Sequence, residues 1–92
     1  MIRSFRHKGL GKLFMTGNTS GAAAQHARRI QLILAQFNVA RLPTMMDAPG
    51  VRFHALNGER KGQFAVTVSG NWRIVFAFDG EDAVDVNLVD YH

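Results

Sequence analysis

Gln63-Phe64-Ala65-Val66-Thr67-Val68-Ser69-Gly70-Asn71-Trp72-Arg73-Ile74-Val75-Phe76-Ala77-Phe78 is the stretch that decides the fold. Apolar residues alternate on either side of Gly70-Asn71, a pair suited to a tight turn, so the stretch predicts two antiparallel strands. Alternation places Phe64, Val66 and Val68 on one face of the first strand, with Trp72, Ile74, Phe76 and Phe78 on one face of the second. That is a core face. The opposite face carries Gln63, Thr67, Ser69 and, alone among its apolar neighbours Val75 and Ala77, the cation Arg73. On spacing alone, Asp85 on a following strand serves as its partner as well as a phosphate would.

Moving outward towards the C-terminus, Asp79-Gly80-Glu81-Asp82 predicts a second turn into a strand over 83–89. Val84, Val86 and Leu88 are expected on one side of it, with Asp85 and Asn87 on the other. Moving the other way, Val51 and Phe53 alternate with Arg52 and His54, and residues 57–62 form a polar loop. Carried across all strands, this alternation gathers Arg52, His54, Gln63, Thr67, Arg73, Asp85, Asn87 and Tyr91 on one face. The result requires strands without bulges. The same parity sets Asp90 and His92 opposite Tyr91, so the three share a site only if regular pairing stops near Val89.

The first half of the chain reads differently. Ile2 to Phe5 suits a short strand, and Leu10, Leu13 and Phe14 recur at helical spacing before Gly17, a natural helix stop. Thr19 or Ser20 is placed to cap a second helix, whose apolar stripe is Ala23, Ala27, Ile30, Ile33, Leu34 and Phe37. The connection over 38–50 contains both prolines, with a helical turn expected at Pro43 and with Met45 and Met46 filling gaps beneath it. Helices first and strands afterwards predict an α+β fold, a two-helix hairpin on one face of a mainly antiparallel sheet. The other face is then left for solvent or ligand.

At 92 residues the chain is expected to form one domain over 1–92. A net charge of +4 favours polyanionic partners, and residues 1–41 hold seven Lys and Arg with no carboxylate at all. The absence of cysteine excludes disulfides and zinc–thiolate sites. No apolar run approaches the roughly 20 residues of a spanning helix, and the N-terminus lacks the apolar core of a signal peptide, so a cytoplasmic protein with no membrane contact is expected.

Histidines, an arginine, a tyrosine and a carboxylate on a basic protein suit cleavage of RNA by its own 2′-hydroxyl. That reaction needs a base, an acid for the leaving 5′-oxygen and a cation for the phosphorane, roles open to His54, His92 and Arg73. Tyr91 can stack on a base. Each residue also has an ordinary reading: Arg28-Arg29 as the wet face of a helix, Glu59-Arg60-Lys61 as a solvated loop, Asp90-Tyr91-His92 as a frayed tail, and His7 and His26 as inert surface histidines. Residue types and spacing leave a nuclease and a plain binding module level.

Residues 1–10 (Met1-Ile2-Arg3-Ser4-Phe5-Arg6-His7-Lys8-Gly9-Leu10), the segment Val66-Thr67-Val68-Ser69-Gly70-Asn71-Trp72-Arg73-Ile74 and the ending Val89-Asp90-Tyr91-His92 together resemble the HigB toxins of the RelE superfamily. The resemblance covers essentially the whole chain. It implies a RelE-like fold and a toxin of a type II toxin–antitoxin system: a metal-independent endoribonuclease, without cofactor, that cuts messenger RNA in the ribosomal A site. It implies His54, Arg73, Asp90, Tyr91 and His92 as the catalytic set, with His54 or Asp90 as base and His92 as acid. Lys8, Lys12, Arg28, Arg29, Arg52, Arg60 and Lys61 are expected to meet RNA or the ribosome. The implied partners are the ribosome, messenger RNA and a HigA-like helix-turn-helix antitoxin, in a heterotetramer on operator DNA. One departure stands out: Asn57 occupies a position where related toxins often carry lysine, which leaves a catalytically weak binding module as the alternative.

Overall fold

A computed structural model describes residues 1–18, 24–47, 50–60 and 62–90. Two α-helices, α1 (Lys8–Thr16) and α2 (Ala27–Val39), precede four strands: β1 (His54–Ala55), β2 (Gln63–Ser69), β3 (Trp72–Asp79) and β4 (Asp82–Asp90). The strands form one antiparallel sheet in the order β1-β2-β3-β4. The fold is therefore α+β with the helices against one sheet face, as the periodicity change near residue 50 predicts. Among the described residues, no helix is long and apolar enough to cross a membrane.

The helices form for local reasons. His7 opens α1 as its N-cap, its ring nitrogen accepting the Leu10 N–H at 3.3 Å. Gly17 closes the helix at φ 76°, a left-handed conformation that glycine adopts without Cβ strain, and its N–H donates to the Leu13 carbonyl at 2.9 Å. α2 buries Ala27, Ile30, Ile33, Leu34 and Phe37, the predicted stripe. Ala23 and the expected caps Thr19 and Ser20 lie outside the described residues. The turn expected at Pro43 forms over Pro43–Met46, where Met46 is buried but Met45, contrary to expectation, is exposed.

The core joins these helices to the sheet. Phe37 of α2 meets Phe76 of β3 edge-on, with ring centroids 4.4 Å apart, and both rings are fully buried. Val66, Val68, Ile74, Phe76, Ala83, Val86 and Leu88 supply the sheet's share. Each such aromatic contributes about 2–3 kcal/mol through burial.

Three expectations are corrected. First, Ile2 to Phe5 makes no strand but two isolated parallel bridges to β4, Ile2 with Ala83 and Phe5 with Val86. The ladder is interrupted where β4 passes through Asp85, at φ 53°, whose N–H goes to Ser4 Oγ at 2.8 Å. Second, the strand expected from Val51 shrinks to two residues, because Arg52 at φ 50° turns the backbone out of extended geometry. Third, Asp85 and Val86 together oppose Phe76, a bulge that shifts parity, so Ala83 takes the core face and Val84 pairs with Ala77 on the other. Pairing continues to the end of β4, where Arg73 opposes Val89 and Trp72 opposes Asp90, so Asp90 keeps the parity that alternation predicts.

Candidate active site

The β2–β3 hairpin builds the site. Its turn residue Gly70 has φ 52° while Asn71 does not join it at positive φ, the sign pattern of a type II′ turn. Thr67 then opposes Arg73, and Val66 opposes Ile74. Since Ile74 and Phe76 face the helices, Arg73 stands on the face the helices leave uncovered.

Two rows of side chains cross this face. In one, His54 opposes Ala65, Ala65 opposes Val75, and Val75 opposes Asn87; in the next, Thr67, Arg73 and Val89 stand abreast. Adjacent rows on one face are about 7 Å apart and adjacent strands about 4.8 Å. His54 and Arg73 are therefore separated by roughly 12 Å at their Cα atoms, a span that one nucleotide bound between their side chains bridges. Ala65 and Val75 are buried although no helix covers them. Their short side chains give this face a low apolar middle between longer polar residues.

His54 is exposed, and its Nδ1 lies 3.0 Å from the Arg52 carbonyl oxygen. A carbonyl only accepts, so Nδ1 carries the proton and the neutral ring keeps its lone pair on Nε2. The left-handed turn at Arg52 aims that carbonyl at the ring. Strain and orientation meet at one residue, and neither was legible in the alternation of Val51 to His54.

Arg73 is half-buried. Its Nη1 donates to the Gly70 carbonyl at 2.6 Å and to its neighbour Trp72's carbonyl at 3.2 Å, anchoring the guanidinium over the hairpin turn. Beside it, Thr67 Oγ1 is buried without a hydrogen-bond partner. The pairing with Asp85 that spacing allowed does not occur. Asp85 lies about three residues further along β4, roughly 10 Å away, and the ion pairs among the described residues involve other groups.

The remaining expected site residues divide. Asp90 is exposed and opposes Trp72, which puts it on the helix-side face, opposite to Arg73. Tyr91 and His92 lie outside the described residues, as does Lys61, and nothing is described of the Arg60 side chain. Arg52 is exposed next to His54. Lys8, Lys12, Arg28 and Arg29 are exposed on the helices, the layer on the far side of the sheet from His54 and Arg73. Of these, Arg29 reaches the Gly50 carbonyl at 3.4 Å. Asn57 is exposed between β1 and the turn over Gly58–Arg60.

Two groups on the open face escaped the sequence reading as site residues. Gln63 and Asn87 line a trough of about 230 Å³ together with Arg6, Glu59 and Asp85. The signal for Gln63 and Asn87 was present in their parity, but Arg6 and Glu59 reach the trough only through the path of the N-terminal segment and the loop.

Comparison with known proteins adds the family. A family model described as the RelE-like toxin of the type II toxin–antitoxin system HigB matches residues 3–92. An endoribonuclease HigB of Proteus vulgaris is 42% identical over 92 residues, covering 100% of both chains.

Proposed function

From the premise that the chain belongs to the HigB-like toxins, the RelE-like toxins of type II toxin–antitoxin systems, we propose that it is an endoribonuclease that cuts messenger RNA in the ribosomal A site. The observation that carries this reading is His54, its Nε2 lone pair exposed on the same sheet face as Arg73. His54 Nε2 takes the proton of a 2′-hydroxyl, and the 2′-oxygen attacks the adjacent phosphorus as the bond to the 5′-oxygen breaks. Arg73 neutralises the charge that builds on the phosphorane oxygens. His92 delivers a proton to the leaving 5′-oxygen, leaving a 2′,3′-cyclic phosphate and a 5′-hydroxyl, and Tyr91 stacks on a base. Of the two candidate bases, Asp90 starts from the opposite face, which favours His54. No step requires a metal ion.

In this reading one domain over 1–92 acts in the cytoplasm. Its helical cations Lys8, Lys12, Arg28 and Arg29, with Arg52, Arg60 and Lys61, hold ribosomal RNA while the open sheet face cuts. Family membership implies an antitoxin partner. We assign that role to a HigA-like helix-turn-helix protein, in a heterotetramer on operator DNA.

Asn57 favours a second reading, a catalytically weak module that binds antitoxin or ribosomal RNA. A missing phosphate-stabilising cation costs on the order of 2–4 kcal/mol of transition-state stabilisation. Primer extension on translated messages separates the two. Codon-associated cuts, abolished by His54→Ala and by Arg73→Ala in proteins that still fold, support the nuclease; ribosome binding without cuts refutes it in favour of the module.

A further inference from the structure

The trough beside His54 and Arg73 has a chemistry of its own. Val75, almost fully buried, forms its apolar floor two residues along β3 from Arg73. At about 230 Å³ it is below the ~300 Å³ at which drug-sized pockets begin, and suits one planar heterocycle. Two carboxylates, Glu59 and Asp85, and two amides, Gln63 and Asn87, surround that floor, with Arg6 lining it from the β4 edge. Among the described residues, neither carboxylate takes part in an ion pair. A phosphate would meet two negative charges against the single cation of Arg6; a nucleobase would meet hydrogen-bonding groups around an apolar floor.

Asp85 is held for this position. It sits at φ 53°, a conformation glycine adopts at lower cost, and its N–H is fixed by Ser4 Oγ at 2.8 Å. The bulge thereby turns an acidic side chain into the trough.

We infer that this trough is a nucleobase subsite for the RNA strand, and that it selects bases bearing an exocyclic amino group (adenine, guanine or cytosine) over uracil. The inference rests on the nuclease reading, which places RNA across this face. Carboxylates only accept hydrogen bonds, so an amino group is their complement, whereas uracil turns two carbonyl oxygens and a single N–H towards them. Gln63 and Asn87 offer both donors and acceptors and complete the edge of an amino-bearing base. Phosphate stays with Arg73 while the flanking base enters the trough.

The test uses the full chain, labelled with ¹⁵N, and uncleavable 2′-O-methylated trinucleotides of adenine, cytosine or uracil. The adenine and cytosine probes are expected to shift the side-chain amide signals of Gln63 and Asn87 and to bind about tenfold more tightly than the uracil probe, the equivalent of one mismatched hydrogen bond. Asp85→Asn tolerates positive φ and gives uracil a donor, so it should shrink that ratio to threefold or less. Equal affinities, or a ratio unmoved by Asp85→Asn, overturn the subsite. Shifts confined to His54 overturn the subsite and leave the nuclease standing; no shift at His54 or at the amides with any probe overturns both.

Discussion

Replacing Arg73 by lysine isolates what the guanidinium supplies beyond charge. In the folded protein Nη1 is shared between the Gly70 carbonyl at 2.6 Å and the Trp72 carbonyl at 3.2 Å. Lysine keeps the cation but concentrates it on a single nitrogen at the end of a flexible stem, without the planar fork that matches two phosphate oxygens. Because both hydrogen bonds come from one nitrogen and one is long, their joint loss costs about 1–2 kcal/mol. For a domain of this size that lowers the melting temperature by roughly 4–16 °C. In catalysis, exchanging a bidentate clamp on the phosphorane for a point charge removes about 2–3 kcal/mol, a fall in cutting rate of roughly 30- to 150-fold. The assay is the rate of cleavage of a translated message, followed by primer extension well below the variant's melting point, with circular dichroism fixing its stability. A lysine variant that cuts within threefold of the parent rate would refute the fork argument. Destabilisation above about 4 kcal/mol would make Arg73 chiefly a structural residue.

Three further outcomes are expected. Phe37→Ala removes a fully buried ring packed on Phe76, so urea unfolding should show a loss of about 3–5 kcal/mol; a loss below 1 kcal/mol would mean that α2 does not sit on the sheet as described. Nitrogen NMR of the neutral His54 ring should find the proton on Nδ1, and a ring protonated on Nε2 would exclude the Arg52 carbonyl as its partner. Reversing Arg28 and Arg29 to glutamate should weaken ribosome association about tenfold or more and flatten its salt dependence, whereas unchanged association would remove the helical face from the docking surface.

The elements were legible in the sequence wherever period and punctuation agreed. Gly70-Asn71 marks the hairpin, Gly17 the end of α1, and the stripe from Ala27 to Phe37 the buried face of α2, because each reports a local steric or hydrophobic rule. Arg73 and His54 were placed on their common face by alternation alone. What stayed hidden were, among the described residues, the two non-glycines at positive φ, Arg52 and Asp85. Nothing in an arginine or an aspartate announces a left-handed backbone. Each nevertheless decides a strand: Arg52 shortens β1, and Asp85 reverses the parity of Ala83 and Val84. Asp90 keeps the face that alternation gave it, opposite to Arg73, because regular pairing continues through Trp72 and Asp90.

These two kinks also explain why a four-stranded sheet can serve a core and a site at once. A regular sheet would present its uncovered face as a simple repeat of side chains, with nothing to concentrate chemistry at one place. Here Arg52 breaks the repeat on one side and points a carbonyl at His54, while Asp85 breaks it on the other and turns a carboxylate beside Asn87. Between them the short residues Ala65 and Val75 keep the middle low. The Asp85 bulge has a second effect on the opposite face, where it brings Ala83 rather than Val84 against the core and lets the N-terminal segment run beside β4. That path carries Arg6 to the edge of the trough. A single strained residue therefore links the seating of the N-terminus to the composition of the open face. Regularising β4 at Asp85 would then disturb core packing and the trough together, whereas relaxing Arg52 would act mainly on His54.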